Sequence, residues 1–200
     1  MKNNIRFIYF DIGRVILHYQ PSLHKLSEHS GKSMHEVLAV FEKYNLDGCA
    51  GTLSSRDLWL KIQKDLHFTH NAPDYASYWS SYLEPIVETH EFISSIVGKY
   101  PLGLLTNIEH GVLDHALSKK HIPNISWTII IESCRVGMMK PNLNIYHLAQ
   151  QQAGVAHSEI LFIDDKEENI TAARSLGWQT VHFDPSAIDE SLQKVKKALE

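Results

Sequence analysis

Four short segments of this chain carry side chains that can do chemistry. Asp11 follows the apolar run Ile5 to Phe10, and Thr106-Asn107 follow Leu102-Gly-Leu-Leu. Lys140-Pro141 end the stretch Val-Gly-Met-Met, and Asp164-Asp165 follow Ile160 to Ile163. Each alone has an ordinary reading. An Asp at a strand end forms turns or caps helices, Thr-Asn can cap the helix that follows, and a lysine before proline is usually solvated. The Asp164-Asp165 pair is harder to dismiss. Two adjacent carboxylates after an apolar strand repel one another and are costly to gather without a cation.

The surrounding elements explain how such distant residues meet. Ile5 to Phe10 is nearly continuous in apolar residues, as a strand buried on both faces is. From about Pro21 to Leu83 the periodicity is helical. Leu23 and Leu26, then Val37, Leu38, Phe41 and Tyr44, suit two helices separated by Gly31. Ser54 or Ser55 can cap a third, with Leu58, Trp59, Ile62 and Leu66 on one face. A fourth helix is expected over Ala72 to Leu83, and Pro85 marks the exit.

Beyond this point strands and helices alternate. Helices are expected at Glu88–Gly98, Glu109–Ser118, Asn142–Gln152, Glu167–Leu176 and Ile188–Leu199. Strands are expected at Leu102–Thr106, Trp127–Ile131, Ile160–Ile163 and Gln179–Phe183. That rhythm means α/β: a Rossmann-like parallel sheet with helices on both faces. Sites in such open sheets lie at the carboxyl ends of the strands. Asp11, Thr106-Asn107 and Asp164-Asp165 all fall there, and the Lys140 loop can reach the same edge.

Taken in order, Phe-Asp11-x-Gly13, Leu-Leu-Thr106-Asn107, Val-Gly-Met-Met-Lys140-Pro141 and Phe-Ile-Asp164-Asp165-Lys-Glu-Glu-Asn169 resemble the four motifs of the haloacid dehalogenase-like hydrolase superfamily. The helical stretch between the first two motifs looks like that family's inserted α-helical C1-type cap. The resemblance covers essentially the whole chain, with residues 1–17 and 86–200 as the core domain and 18–85 as the cap. The Asp-Ile-Gly-Arg-Val start is similar to the branch containing bacterial sugar-phosphate phosphatases and the phosphatase domain of epoxide hydrolases.

The resemblance implies a Mg²⁺-dependent phosphatase acting on a small phosphorylated metabolite, such as a sugar phosphate. Asp11 would attack phosphorus to give an aspartyl-phosphate. Asp11, Asp165 and the Gly13 carbonyl would bind Mg²⁺, with Asp164 behind them. Thr106 and Asn107 would hold the phosphoryl oxygens, Lys140 would offset the gathered negative charge, and Asn169 would orient the last loop.

One position departs from the family pattern. Its usual second Asp, two residues after the nucleophile, protonates the leaving oxygen and then activates water. Here that position is Gly13. Loss of a general acid–base typically costs on the order of 10²–10⁴-fold in rate. His18 and His110 lie near motifs I and II in the sequence and are candidates for that role. The alternatives are a weak or inactive member that binds a phosphometabolite or a protein partner, and a metal-free haloacid dehalogenase, against which the Asp164-Asp165 pair argues.

The cap segment Gly48-Cys-Ala-Gly51-Thr-Leu-Ser54 resembles the loop that approaches the catalytic centre in capped relatives. Tyr44, Trp59, Tyr75, Tyr78, Trp79 and Tyr82 are expected to form the bundle core. The formal net charge of -4 gives no reason to expect a nucleic-acid partner. The Phe7–Phe10 stretch is too short for a signal peptide core, and no window nears the roughly 20 apolar residues of a membrane span. The two cysteines, Cys49 and Cys134, read as reduced thiols. A cytoplasmic protein, monomeric or weakly dimeric, is expected.

Overall fold

Phe7–Phe10 forms β1, buried along its whole length. A strand buried on both faces must be flanked by other strands, and β1 is the centre of a five-stranded sheet. Its neighbours are β4 (Leu102–Thr106) and β6 (Ile160–Asp164), both parallel to it. Outside them lie β5 (Ile129–Glu132) and β7 (Gln179–His182), giving the order β5-β4-β1-β6-β7. The computed structural model describes residues 4–200. The expected α/β class and the parallel sheet are both present.

Alternation along β1 divides the core in two. Ile8 and Phe10 join an apolar cluster that also contains Leu104, Ile163 and residues of the inserted helices, such as Trp59 and Trp79. Phe7 and Tyr9 join the other, with Ile145, Tyr146 and Ile170. Tyr9 can lie across β4 because position 103 is glycine: a Cβ there would meet the Tyr9 ring at 2.6 Å.

Between β1 and β4 the chain makes α1 (Gln20–Ser30), α2 (Met34–Cys49), α3 (Ser55–Asp65) and the short α4 (Tyr75–Trp79). Their starts follow from local chemistry. Ser33 and Glu36 cap α2 reciprocally, and the side chains of Ser54 and Asp74 cap α3 and α4. The fourth helix is much shorter than the expected span over Ala72 to Leu83. Pro73 disfavours a helical Ala72, and Asp74 is spent as the cap. Two features are invisible to periodicity. β2 (Leu17–His18) and β3 (Glu84–Pro85) pair antiparallel, joining the two connections of the inserted helices. Each is only two residues long.

The second half follows the expected alternation: α5 (Val87–Ile96), α6 (Val112–Ser118), α7 (Ser133–Val136), α8 (Leu143–Ala153), α9 (Glu167–Ser175) and α10 (Ile188–Ala198). α6 starts three residues later than expected, because Gly111 in the left-handed region, φ 82°, is its N-terminal boundary. Residues 107–111 are therefore a loop. The third sheet strand begins at Ile129 rather than Trp127 and passes directly into α7, a turn of helix too short to show a period in the sequence. No helix among the described residues is long and apolar enough to cross a membrane. Cys49 and Cys134 are free thiols.

Candidate active site

The carboxyl ends of β1, β4 and β6 bring Asp11, Thr106 and Asp164 to one edge of the sheet. Each is the last residue of its strand or the first beyond it. Asp11 is anchored there by its backbone N–H, which donates to the Ile163 carbonyl at 2.9 Å. Lys140 arrives from the loop between α7 and α8, and its ammonium is fully enclosed. Nζ lies 2.8 Å from Asp11 Oδ1, 2.6 Å from Asp164 Oδ2 and 2.7 Å from the Leu105 carbonyl. An ammonium has three N–H donors, and here each has one acceptor. Burial works against the Lys140 charge, but Asp11 and Asp164 outweigh it and hold its pKa above the usual lysine range.

Asp164 is saturated. Oδ1 accepts from the Lys166 backbone N–H at 2.8 Å and from Asn169 Nδ2 at 3.0 Å. Oδ2 accepts from Lys140 Nζ at 2.6 Å and from Asn169 Nδ2 at 3.0 Å. A carboxylate has about four lone-pair sites, so nothing of Asp164 remains for a further ligand. Its place is behind the site, orienting Lys140. Asn169 Nδ2 fixes Asp164, as a residue one helical turn along can.

Asp165 differs. Its one ion-pair partner among the described residues is Arg14, with Nη1 3.1 Å from Oδ2. Burial and the neighbouring Asp164 push its pKa up, and Arg14 only partly offsets them. Burial likewise pushes Asp11 up, Lys140 pulls it down, and Asp164 and Asp165 add to the rise. Lys140 and Arg14 set two positive charges against three carboxylates.

Asp11, Asp164 and Asp165 each present a carboxylate oxygen within 4.8 Å of the others. With Asp164 committed, Asp11 and Asp165 are the pair able to take a hard, oxygen-seeking cation such as Mg²⁺. Two further observations fit. Burial, reinforced by the neighbouring carboxylates, raises the pKa of Asp11 and Asp165, and a bound cation would offset both effects. Asn169 Oδ1, on a residue that lines the cavity, is buried with no hydrogen-bond partner among the described residues, an acceptor to which a metal-bound water can donate.

A cavity of about 390 Å³ opens from this edge towards the inserted helices. Asp11, Gly13, Thr106, Asn107, Lys140, Asp165 and Asn169 all line it. Asp164 lies behind. Asn107 is only partly free. Its Oδ1 accepts from the Lys140 backbone N–H and its Nδ2 donates to the Lys140 carbonyl, leaving one N–H of the amide. His18 is on β2 and outside the cavity lining, as is His110, whose Nε2 lies 3.4 Å from the Gly51 carbonyl. Of the six aromatics, Trp59, Tyr75, Tyr78 and Trp79 are buried and Tyr44 and Tyr82 pack against them; Trp79 also lines the cavity. Glu109 and Tyr19 line it too, and neither belongs to a motif that marks it in the sequence. A helix start expected at Glu109 conceals the first of these.

A parallel α/β sheet with an acidic cluster and a buried lysine at its carboxyl edge fits a hydrolytic enzyme. The model of the haloacid dehalogenase-like hydrolases matches residues 10–177. The chain belongs to that family. Over 68 residues it is 41% identical to bifunctional epoxide hydrolase 2 of Mus musculus, covering 33% of this chain and 12% of that protein. Over 72 residues it is 33% identical to the sesquiterpene phosphatase astK of Aspergillus oryzae, covering 36% of this chain and 37% of that one. The chain thus spans well under half the length of these curated relatives. Among solved structures, a predicted HAD-like family hydrolase from Porphyromonas gingivalis is 26% identical, with a TM-score of 0.76 over 96% of this chain and 98% of that one. The HAD family enzyme bt-2542 from Bacteroides thetaiotaomicron, in complex with magnesium and inorganic phosphate, is 18% identical. Its TM-score is 0.71, over 90% of this chain and 95% of that one.

Proposed function

We propose that this hydrolase is a Mg²⁺-dependent phosphatase that cleaves a small phosphate monoester through an aspartyl-phosphate on Asp11. The observation that carries this reading is the Lys140 ammonium held between Asp11 and Asp164, beside a second, less committed carboxylate on Asp165. Asp11 Oδ1 is bound to Lys140, which leaves the other oxygen to attack phosphorus. Thr106 and the remaining Asn107 N–H line the space where phosphoryl oxygens would lie. The residues that would hold the cation are Asp11, Asp165 and the Gly13 carbonyl, and it would neutralise charge between carboxylate and phosphate. The bt-2542 enzyme, which shares the fold, forms a complex with magnesium and inorganic phosphate, and this supports a cation and a phosphoryl group as the ligands. The carboxylate cluster favours this chemistry over metal-free dehalogenation.

The cavity also suggests which alcohol leaves. Beyond the phosphate end it is lined by Leu17, Phe41, Trp79, Leu83, Ile108 and Val112. These offer apolar contact to the leaving alcohol, beside the polar Tyr19, Asn45, Glu109, Lys166 and Glu168 of the same cavity, and favour an ester of an apolar or aromatic alcohol. The sesquiterpene phosphatase among the relatives points the same way. Residues 18–85 would then act as a cap that excludes water and selects the alcohol.

The test is phosphate release from aryl, terpenyl and sugar phosphates, with Mg²⁺ and with a chelator. Wild type should release phosphate only with the metal and prefer the apolar esters. Asp11→Asn should abolish release. A wild type inert towards the whole panel would sink the reading.

A further inference from the structure

Gly13 cannot transfer a proton, and neither His18 nor His110 lines the cavity. Glu109 does. It lies in the loop between β4 and α6, three residues after Thr106, and is only 7% exposed. The inserted helices build its enclosure. Gly48 of α2 makes the room, since a Cβ there would lie 2.9 Å from Glu109 Cγ. The Tyr75 hydroxyl of α4 donates to Oε1 over a long 3.4 Å. No cation pairs with Glu109 among the described residues. An unpaired buried carboxylate is costly, and such a group keeps its proton instead.

A proton donor for this reaction must open into the same cavity as Asp11, and Glu109 does. In an in-line displacement the leaving oxygen lies on the far side of phosphorus from the nucleophile. Asp11 is at the sheet edge. Glu109 faces the same cavity from the wall where the core loop meets the inserted helices.

On the phosphatase reading above, we propose that Glu109 supplies the acid and base chemistry missing at Gly13. In the first half-reaction an Asp11 oxygen bonds to phosphorus and the bond from phosphorus to the alcohol oxygen breaks. The Glu109 carboxylic acid gives its proton to that oxygen, and the alcohol leaves. In the second, water attacks the aspartyl-phosphate from the vacated side. The Glu109 carboxylate takes a proton from this water, the bond between Asp11 and phosphorus breaks, and phosphate departs. Asp11 is regenerated as carboxylate and Glu109 as acid.

The titration of Glu109 matches this task. Burial pushes its pKa up to about 7, against weaker opposing pulls from its own backbone N–H and the Tyr75 hydroxyl. Both protonation states are then populated near neutrality, where general acid–base catalysis works best. The titratable groups around it are Tyr75 of α4, Cys49 of α2, Cys134 of α7 and Tyr19 ahead of α1, and all but Cys134 line the cavity or touch Glu109 directly. Burial raises all four, so they are neutral when Glu109 titrates.

The test is pre-steady-state kinetics of Glu109→Gln, an isostere, on 4-nitrophenyl phosphate and on an alkyl phosphate. Nitrophenolate needs no proton to leave. The variant should therefore give a rapid nitrophenolate burst at near wild-type rate, then turnover slowed by about 10²–10⁴-fold. On the alkyl phosphate the first turnover should be slow as well, with no burst. A merely structural role would slow the burst and the later turnover together on both substrates, and that result overturns the proposal. So does an unimpaired variant. Failure of the phosphatase reading is distinguishable, because wild type would then release nothing.

Discussion

Asn107 and Lys140 clamp each other by their amides. Asn107 Nδ2 donates to the Lys140 carbonyl and the Lys140 N–H donates to Asn107 Oδ1, both at 2.9 Å. The loop bearing the lysine is thereby tied to the end of β4, next to the Leu105 carbonyl that receives its ammonium. Asn107→Ala should release the loop and misplace Nζ. A misplacement of about 1 Å can cost on the order of 10²-fold, and the loss should appear in kcat more than KM. Asn107→Asp should not rescue, because a carboxylate cannot donate to the Lys140 carbonyl. An Asn107→Ala enzyme within twofold of wild type would show that the clamp does not matter.

Lys140 also holds the fold together. Removing it leaves Asp11 and Asp164, both buried, facing each other without the ammonium. Breaking a buried ion pair by deleting one partner typically costs about 3–5 kcal/mol. Lys140→Met should lose stability on that scale in urea denaturation at pH 7, besides losing activity. Lys140→Arg should not restore activity, since a planar guanidinium cannot direct three bonds into a site shaped for an ammonium. A fully active Lys140→Arg enzyme would count against the geometry.

Much of this is legible in the sequence, for physical reasons. β1 and β6 are fully buried strands and announce themselves as continuous apolar runs, so the residues just beyond them can be placed at the sheet edge. Which of the paired carboxylates is free is not readable from the strand pattern; in the structure Asp164 accepts four hydrogen bonds. Glu109 is not readable. It follows an apolar Ile108 and precedes a helical pattern, so it resembles the start of α6, and only Gly111 sets that start later. Its significance comes from Gly48 and Tyr75, which are 61 and 34 residues away. The β2–β3 ribbon is hidden for a different reason: a two-residue strand has no period.

The contact between the inserted helices and the core depends on Gly51. Its φ is +76°, and a Cβ there would lie 2.1 Å from the Cys134 carbonyl oxygen. The neighbouring Ser133 Oγ donates to the Cys49 carbonyl at 2.6 Å. Gly31 also has a positive φ, +65°, but a Cβ added there would meet nothing within 4 Å. Gly31→Ala should therefore cost only the left-handed strain, about 1–2 kcal/mol. Gly51→Ala adds a clash with backbone and should cost clearly more in thermal melts. It should also raise KM, because the inserted helices must shift from the cavity. Equal melting temperatures for the two variants would refute this contact.

Glu109 should leave a mark on folding stability that needs no substrate. Its ordinary pKa is 4.5 and its folded value about 7. Below pH 4.5 the carboxyl is protonated in both states, and its contribution to stability is fully present. Between the two values the unfolded chain ionises while the folded one stays neutral, so stability falls as pH rises. Above about 7 both are ionised and the loss is complete. A shift of this size corresponds to about 2–4 kcal/mol. Glu109→Gln removes the titration, so the difference in unfolding free energy between variant and wild type should grow in the variant's favour from pH 4.5 to 7 and then level off. A difference that stays constant across that range would mean that Glu109 is not held as an acid.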